Sequence, residues 1–401
     1  MKTKSVFWFA LGGALALAAG YAVLRSRPSA RLTATTVTSA STTADPLARG
    51  TPEPGARTGE AAAPNRGTGT TDASAHTPAA ILARLRALKV AANHPQSARQ
   101  LILELERLKE AGPAALPAIR EFLAGGEDAD YDASAKGAIR GGKVPEDFTV
   151  PPSLRLGLLE VVKNIGGEAA QQLLAEALKS TGRGVEVAYL AGVLQSLAPD
   201  KYRGATLSAA RDLLAMPLTA GAASALDKPD REYLYGVLTT LNDTTYLAQA
   251  QTQLVQPGGK VDAAALRYLQ TMLGEQTVAL AVQEWDDPRI PAAQREPLAR
   301  VALAYVGVNA QAGQLYQTAI NDLNLPKDKR RELIEDLNRE GFANAKALTA
   351  ADLPLIQKRL ALIDQLAPAA TDPVNAAAFK EAQKDLLKMR DNLLHPPPAK
   401  K

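Results

Sequence analysis

The chain has 401 residues, no cysteine, three histidines and a formal net charge of +4. Without thiols it has neither a disulfide framework nor a thiolate metal site, and His76, His94 and His395 are too scattered to promise imidazole catalysis or a histidine-rich metal centre. The charge is local: residues 1–78 hold eight basic and four acidic side chains while 79–401 hold 38 of each, so the body offers no global electrostatic footprint for nucleic acid and the basic pI belongs to the tail.

Residues 5–24, SVFWFALGGALALAAGYAVL, are 20 uncharged positions preceded by Lys2 and Lys4. That length spans a hydrocarbon core as a helix. The segment 1–25 therefore predicts a membrane anchor, or the apolar region of a signal peptide with a small-residue cleavage site at Gly20-Tyr21-Ala22. No cysteine follows, which removes lipid attachment through a thiol, and basic residues on both flanks leave orientation unset. A Lys-bearing start and an Ala-rich composition point to a bacterial inner-membrane, single-pass protein with a periplasmic body, or to a secreted one if the leader is cleaved.

Residues 26–78 draw 39 of 53 positions from Ser, Thr, Pro, Ala and Gly, and their large apolar side chains are only Leu32, Val37 and Leu47. Such a segment cannot bury enough surface to offset its ordering entropy, so disorder is predicted. As a flexible coil it would average roughly 40 Å end to end. A tether of that reach suits a body held away from a membrane, which favours a retained anchor.

From residue 79 the pattern turns helical. In 154–165 the apolar set Leu154, Leu158, Val161, Val162 and Ile165 lies on one helical face, and Ala170, Leu173, Leu174, Ala177 and Leu178 do the same in the next segment. Gly166-Gly167 between them suits a helix end followed by a new start. Similar turns are predicted near Pro199, Asn242, Gly274 and Gly307, at separations of 33, 43, 32 and 33 residues. Around the last, stripes run Leu298, Val301, Ala302, Tyr305, Val306 and then Ala312, Leu315, Tyr316, Ala319, Ile320, Leu323. A near-constant period of this kind marks a helical repeat array, in which one hairpin cannot bury its apolar face alone but a stack can.

Residues 111–124, AGPAALPAIREFLA, with Leu116, Ile119 and Leu123 inward, resemble the second helix of a HEAT-like repeat. Residues 155–180, RLGLLEVVKNIGGEAAQQLLAEALKS, resemble a whole unit. The resemblance is clearest over 95–215, degenerates to about 325 and is lost beyond it. It implies an all-α fold, an α-solenoid of stacked hairpins over 79–325; beyond it, the longer helical segments at 326–341, 350–367 and 372–394 are expected to form a C-terminal helical cap over 326–395, followed by a short tail at 396–401. It further implies a curved stack binding proteins on its concave face. HEAT motifs are too degenerate to transfer any binding residue.

Residues 125–152 form a long insertion, and long loops in compact arrays are often functional; the expected recognition element is placed here. Inside it, Gly137–Lys143 carries the letters of a phosphate loop, but Val144 and Pro145 follow the lysine and no strand precedes it, so an ordinary loop is predicted. Asp128, Asp130 and Asp132 alternate as in a calcium loop, yet Ala133 and Ile139 occupy the positions needing glycine and a bidentate acid. Trp285 ends a core stripe with Val278, Ala281 and Val282, and the run Lys327–Arg331 precedes Glu332, Glu335 and Asp336 as on an ordinary charged helix face.

No catalytic, cofactor-binding or metal-binding residue is nominated. The reading is a non-catalytic, membrane-tethered scaffold for protein partners in the cell envelope, with no nucleic acid expected and the oligomeric state open. The alternative is an envelope enzyme acting on polysaccharide, for which Glu160, Glu186 or Asp230 would be the acids to consider. The aromatic content of 4% weighs against sugar stacking.

Overall fold

The computed structural model describes residues 76–90, 95–131, 144–216, 224, 226–228, 230–342, 348–370 and 372–395. The expected anchor at 5–24, most of the expected tether, the Gly137–Lys143 loop, Asp132, His94 and the tail lie outside them. The described residues all fall within one unit, Thr68–Lys401. They are α-helical with short 3-10 turns; strand-like pairing is limited to the isolated bridges Asp130–Ser153 and Val255–Val261. No described helix is long and apolar enough to cross a membrane.

The helices in chain order are α1 Pro78–Ala87, α2 Pro95–Glu110, α3 Leu116–Ala124, α4 Leu154–Ile165, α5 Gly167–Ser180, α6 Gly184–Leu197, α7 Arg203–Ala215 and α8 Asp230–Thr240. They continue as α9 Leu247–Thr252, α10 Ala263–Leu273, α11 Thr277–Trp285, α12 Glu296–Tyr305, α13 Ala310–Asn321, α14 Lys327–Glu335, α15 Leu353–Leu366 and α16 Pro373–Leu394. Several starts are set by side chains that accept from otherwise orphaned backbone N–H groups: Ser153 from Leu156, Asp262 from Ala264 and Ala265, Asn309 from Ala312, Asp372 from Val374.

The five predicted turns each fall between two helices, and each holds a residue with positive φ: Gly166 at 69°, Asp200 at 64°, Asn242 at 49°, Gly274 at 58° and Gly307 at 92°. A left-handed residue ends one helix and redirects the chain for the next.

The packing order is simple. The even-numbered helices each pack on the next even one without a break from α2 to α16. The odd-numbered helices do so from α1 through α3 and α5 to α7, and again from α11 to α13. Sequence neighbours such as α4 and α5, α6 and α7, and α12 and α13 pack against each other between the two rows.

The predicted stripes form the core with two departures. Ala170, Leu173, Leu174, Ala177 and Leu178 are all buried, as are Leu298, Val301, Ala302 and Val306. Leu323, expected inward, is 81% exposed: α13 stops at Asn321, the helical period stops with it, and Leu325 is the side chain that enters the core. In the expected cap, 326–341 is not one long helix but the nine-residue α14 followed by a 3-10 turn at Asp336–Asn338. Gly341 then takes φ 78°, where a Cβ would stand 2.2 Å from the Ala304 carbonyl oxygen.

A third feature is absent from the stripes. α4 buries Arg155, Leu156, Gly157 and Leu159 beside its predicted face, and α6 buries Val185, Glu186, Val187, Tyr189 and Leu190. These helices are covered on a second side, and the insertion supplies part of that cover.

Candidate functional site

The insertion is fastened at its base. The Tyr131 N–H donates to the Pro152 carbonyl at 2.9 Å and the Leu154 N–H to the Ala129 carbonyl at 2.9 Å. Asp128 accepts from the Ala129 and Arg155 N–H groups through Oδ1, and Arg183 donates to its Oδ2. Asp130 lies 3.9 Å from the Arg183 guanidinium. Two of the three alternating aspartates are thus engaged by one arginine, and no group of three or more His, Asp or Glu among the described residues could hold a metal ion.

Arg183 belongs to a larger cluster. Arg155 grips Glu186 with Nε to Oε1 at 2.7 Å and Nη2 to Oε2 at 3.0 Å, and donates through Nη1 to the Leu123 carbonyl. The Thr181 hydroxyl adds a bond to Glu186 at 2.8 Å, and Arg183 donates to Asp227 at 2.8 Å. Asp230 accepts from the Gly184 N–H at 3.1 Å. Burial, then the charge of Asp227, pushes the Asp230 carboxyl up to about 6. The approach is close: a Cβ on Gly184 would meet the Asp230 carbonyl oxygen at 2.8 Å. The cluster joins the end of α3 to the starts of α4, α6 and α8.

From this base residues 144–152 run as an irregular, bent strap over α4 and α6. Pro151 packs on Gly157, where a Cβ would come within 2.9 Å of the proline ring. The Phe148 N–H donates to Glu160 at 3.3 Å, and the Phe148 ring stacks on Tyr189 with centroids 5.5 Å apart. The Glu146 carbonyl accepts from Lys163 at 2.8 Å and from the Tyr189 hydroxyl at 3.3 Å. Ser196 donates to the Glu146 carboxylate at 3.1 Å. Glu160, under the strap, has its carboxyl pushed up by burial, partly offset by the Phe148 N–H and Lys163.

Where the strap meets α8 a cleft of about 390 Å³ opens between α6 and α8. Ala188, Ala191 and Gly192 form one wall, Gly236, Val237 and Leu241 the other, and Val144, Glu146, Gln195, Ser196 and Thr240 edge it. A smaller cleft of about 100 Å³ follows between α8 and α10, sharing Gly236 and Thr240 and ending at the Glu232–Arg267 ion pair.

The other sequence candidates are separate. Glu186 and Asp230 both border the Arg183 cluster, whereas Glu160 lies under the strap. Trp285 is buried with the Arg295 guanidinium 5.7 Å from its ring. In the Lys327–Arg331 run, Lys327 pairs with Asp372, Lys329 with Glu332 and Arg331 with Glu335. His76 and His395 are exposed at opposite ends of the described chain.

What the stripes did not disclose is a set of ion pairs at similar sequence separation: Arg155 with Glu186, Arg211 with Asp243, and Arg231 with Asp262, at 31, 32 and 31 residues. An arginine followed by an acid at that separation was the available signal. In comparisons with known proteins, no family model, curated protein or solved structure matches the chain.

Proposed function

We propose that the chain is a non-catalytic scaffold: a HEAT-like α-solenoid of stacked hairpins, closed by the 326–395 helices, that binds protein partners in the bacterial envelope from a membrane anchor at 5–24 and a disordered tether at 26–78. The observation that carries this reading is the unbroken packing of even helix on even helix from α2 to α16. Neighbour-only packing leaves each layer with a long surface, and long layered surfaces are what repeat proteins use for binding. The side chains support the same view. Arg155, Arg183, Arg211, Arg231 and Arg300 pair with carboxylates within the chain, so their charge is spent on joining repeats. The candidate acids are likewise engaged in capping and pairing.

The test is photocrosslinking in cells with the full-length chain, the crosslinker placed at Gln195 on α6 or at Glu176 on α5. One saturable protein partner from either position supports the scaffold. No protein from either position sinks it, and a chain recovered outside the membrane fraction with its leader removed sinks the anchored form.

A further inference from the structure

We infer that the α6–α8 cleft receives an extended peptide segment of a partner protein, carrying a bulky apolar side chain next to a lysine or arginine. This rests on the partner-binding reading and gives it a site.

The argument starts from the chain's own strap. The groove between α4 and α6 is filled by residues 144–152, held by side chains of the even row that bond its backbone: Lys163 and Tyr189 to the Glu146 carbonyl, Glu160 to the Phe148 N–H. An aromatic ring is the anchor, Phe148 on Tyr189. The next groove along the same row, between α6 and α8, is edged by Val144 and Glu146 of the strap, so a second segment there would lie beside a contact the molecule already makes.

The chemistry of the cleft specifies the occupant. Ala188, Ala191, Gly192 and Gly236 keep its walls low, and about 390 Å³ admits one large apolar side chain with adjoining backbone. The Gln195 and Thr240 side chains edge it without a hydrogen bond to the described residues, so they are placed to bond a peptide backbone as Lys163 and Glu160 bond the strap. Glu146 uses one carboxylate oxygen for Ser196, while the other faces Gly192 at the cleft. A cation on the peptide would meet that oxygen.

The experiment pans a displayed library of random 12-residue peptides against the purified full-length chain, then measures affinity of the selected peptide by fluorescence anisotropy. The expected result is enrichment of sequences pairing an aromatic or large aliphatic residue with Lys or Arg. Ala191→Phe, which fills the cleft from its wall, and Thr240→Trp, which fills it from the rim, should each weaken binding about tenfold or more. Circular dichroism verifies that each variant folds, and the two fill the site independently. Glu146→Lys should reverse the charge preference, favouring the peptide whose basic residue is replaced by Glu.

Selected peptides whose affinity ignores both filling variants overturn this cleft as the site while leaving the scaffold reading intact. No enriched peptide at all overturns the inference. So does binding that appears only when residues 132–143 are replaced by a Gly-Ser linker, because the cleft would then belong to the chain's own segment.

Discussion

Arg155 holds Glu186 through two parallel bonds of 2.7 and 3.0 Å, and the carboxylate it holds is fully buried. A guanidinium fork matches a carboxylate in geometry as well as charge. The pair joins α4 to α6, and its third donor reaches the Leu123 carbonyl at the end of α3.

Removing one partner strands the other. Arg155→Leu should destabilise the chain by about 3 kcal/mol, because Glu186 keeps its burial and loses its bidentate partner, retaining only the Thr181 hydroxyl and the 3.4 Å contact to Arg183. The double variant Arg155→Leu/Glu186→Leu should recover a large part of that loss, since two apolar side chains need no compensation. Urea unfolding of both variants checks this; equal loss in the single and double variants would show that Glu186 is solvated well enough to stand alone.

Asp230 gives a pH prediction with a definite sign. Its folded-state value of about 6 lies above the ordinary 3.8, so ionising it costs the folded state. The contribution is fully favourable below pH 3.8 and is lost as pH rises toward 6. Asp230→Asn keeps an oxygen for the Gly184 N–H and removes the ionisation. The variant should match the wild type near pH 3.5 and be more stable by up to about 3 kcal/mol at pH 7. The pH dependence of the unfolding free energy in both chains decides it.

The turns and the core face were legible because each has a local cause. Gly166, Asn242, Gly274 and Gly307 are residue types that tolerate positive φ, and the stripes between them repeat at helical spacing. The reading failed where cause and effect are distant in sequence. Leu323 continues a helical pattern past the point where the helix ends, which a stripe cannot report. The second covered side of α4 and α6 depends on an insertion folding back across them, and Gly157, Tyr189 and Gly192 gain their meaning only from Pro151, Phe148 and Glu146. The Arg183 cluster gathers Asp128 from one segment and Asp227 and Asp230 from another, each distant in sequence from Arg183.

Arg359 is fully buried and faces carbonyls in place of a carboxylate. It donates to the Leu303, Val306 and Leu337 oxygens, closing the end of α12 against the turn after α14, with its guanidinium 4.9 Å from the Phe342 ring centroid. Burial pulls its pKa down to about 10, which still leaves it charged at neutral pH. Lysine has neither the planar fork nor the reach to serve three carbonyls. Arg359→Lys should therefore cost about 2–3 kcal/mol, with hydrogen exchange rising first at the end of α12 and in 336–342. A loss below about 0.5 kcal/mol would show that water replaces the missing donors.

Phe148 tests the strap directly. Its ring is half-buried and stacks on Tyr189, while its N–H bonds Glu160. Phe148→Ala should cost about 2 kcal/mol through lost ring contact. The more telling readout is the Glu160 carboxyl, which burial keeps above its ordinary value against the lowering effect of the Phe148 N–H. With the strap loosened, water relieves the burial, the larger effect, while the smaller lowering by the Phe148 N–H is lost with it, so the pKa should fall toward the ordinary range, a change visible in an NMR titration of the side-chain carboxyl carbon. Phe148→Leu, which keeps apolar volume over Tyr189, should hold the pKa nearer its original position. If both variants leave the Glu160 titration unmoved, the burial comes from α4 and its helical neighbours alone, and the strap is not the cover that distinguishes the α4–α6 groove from the open one beside it.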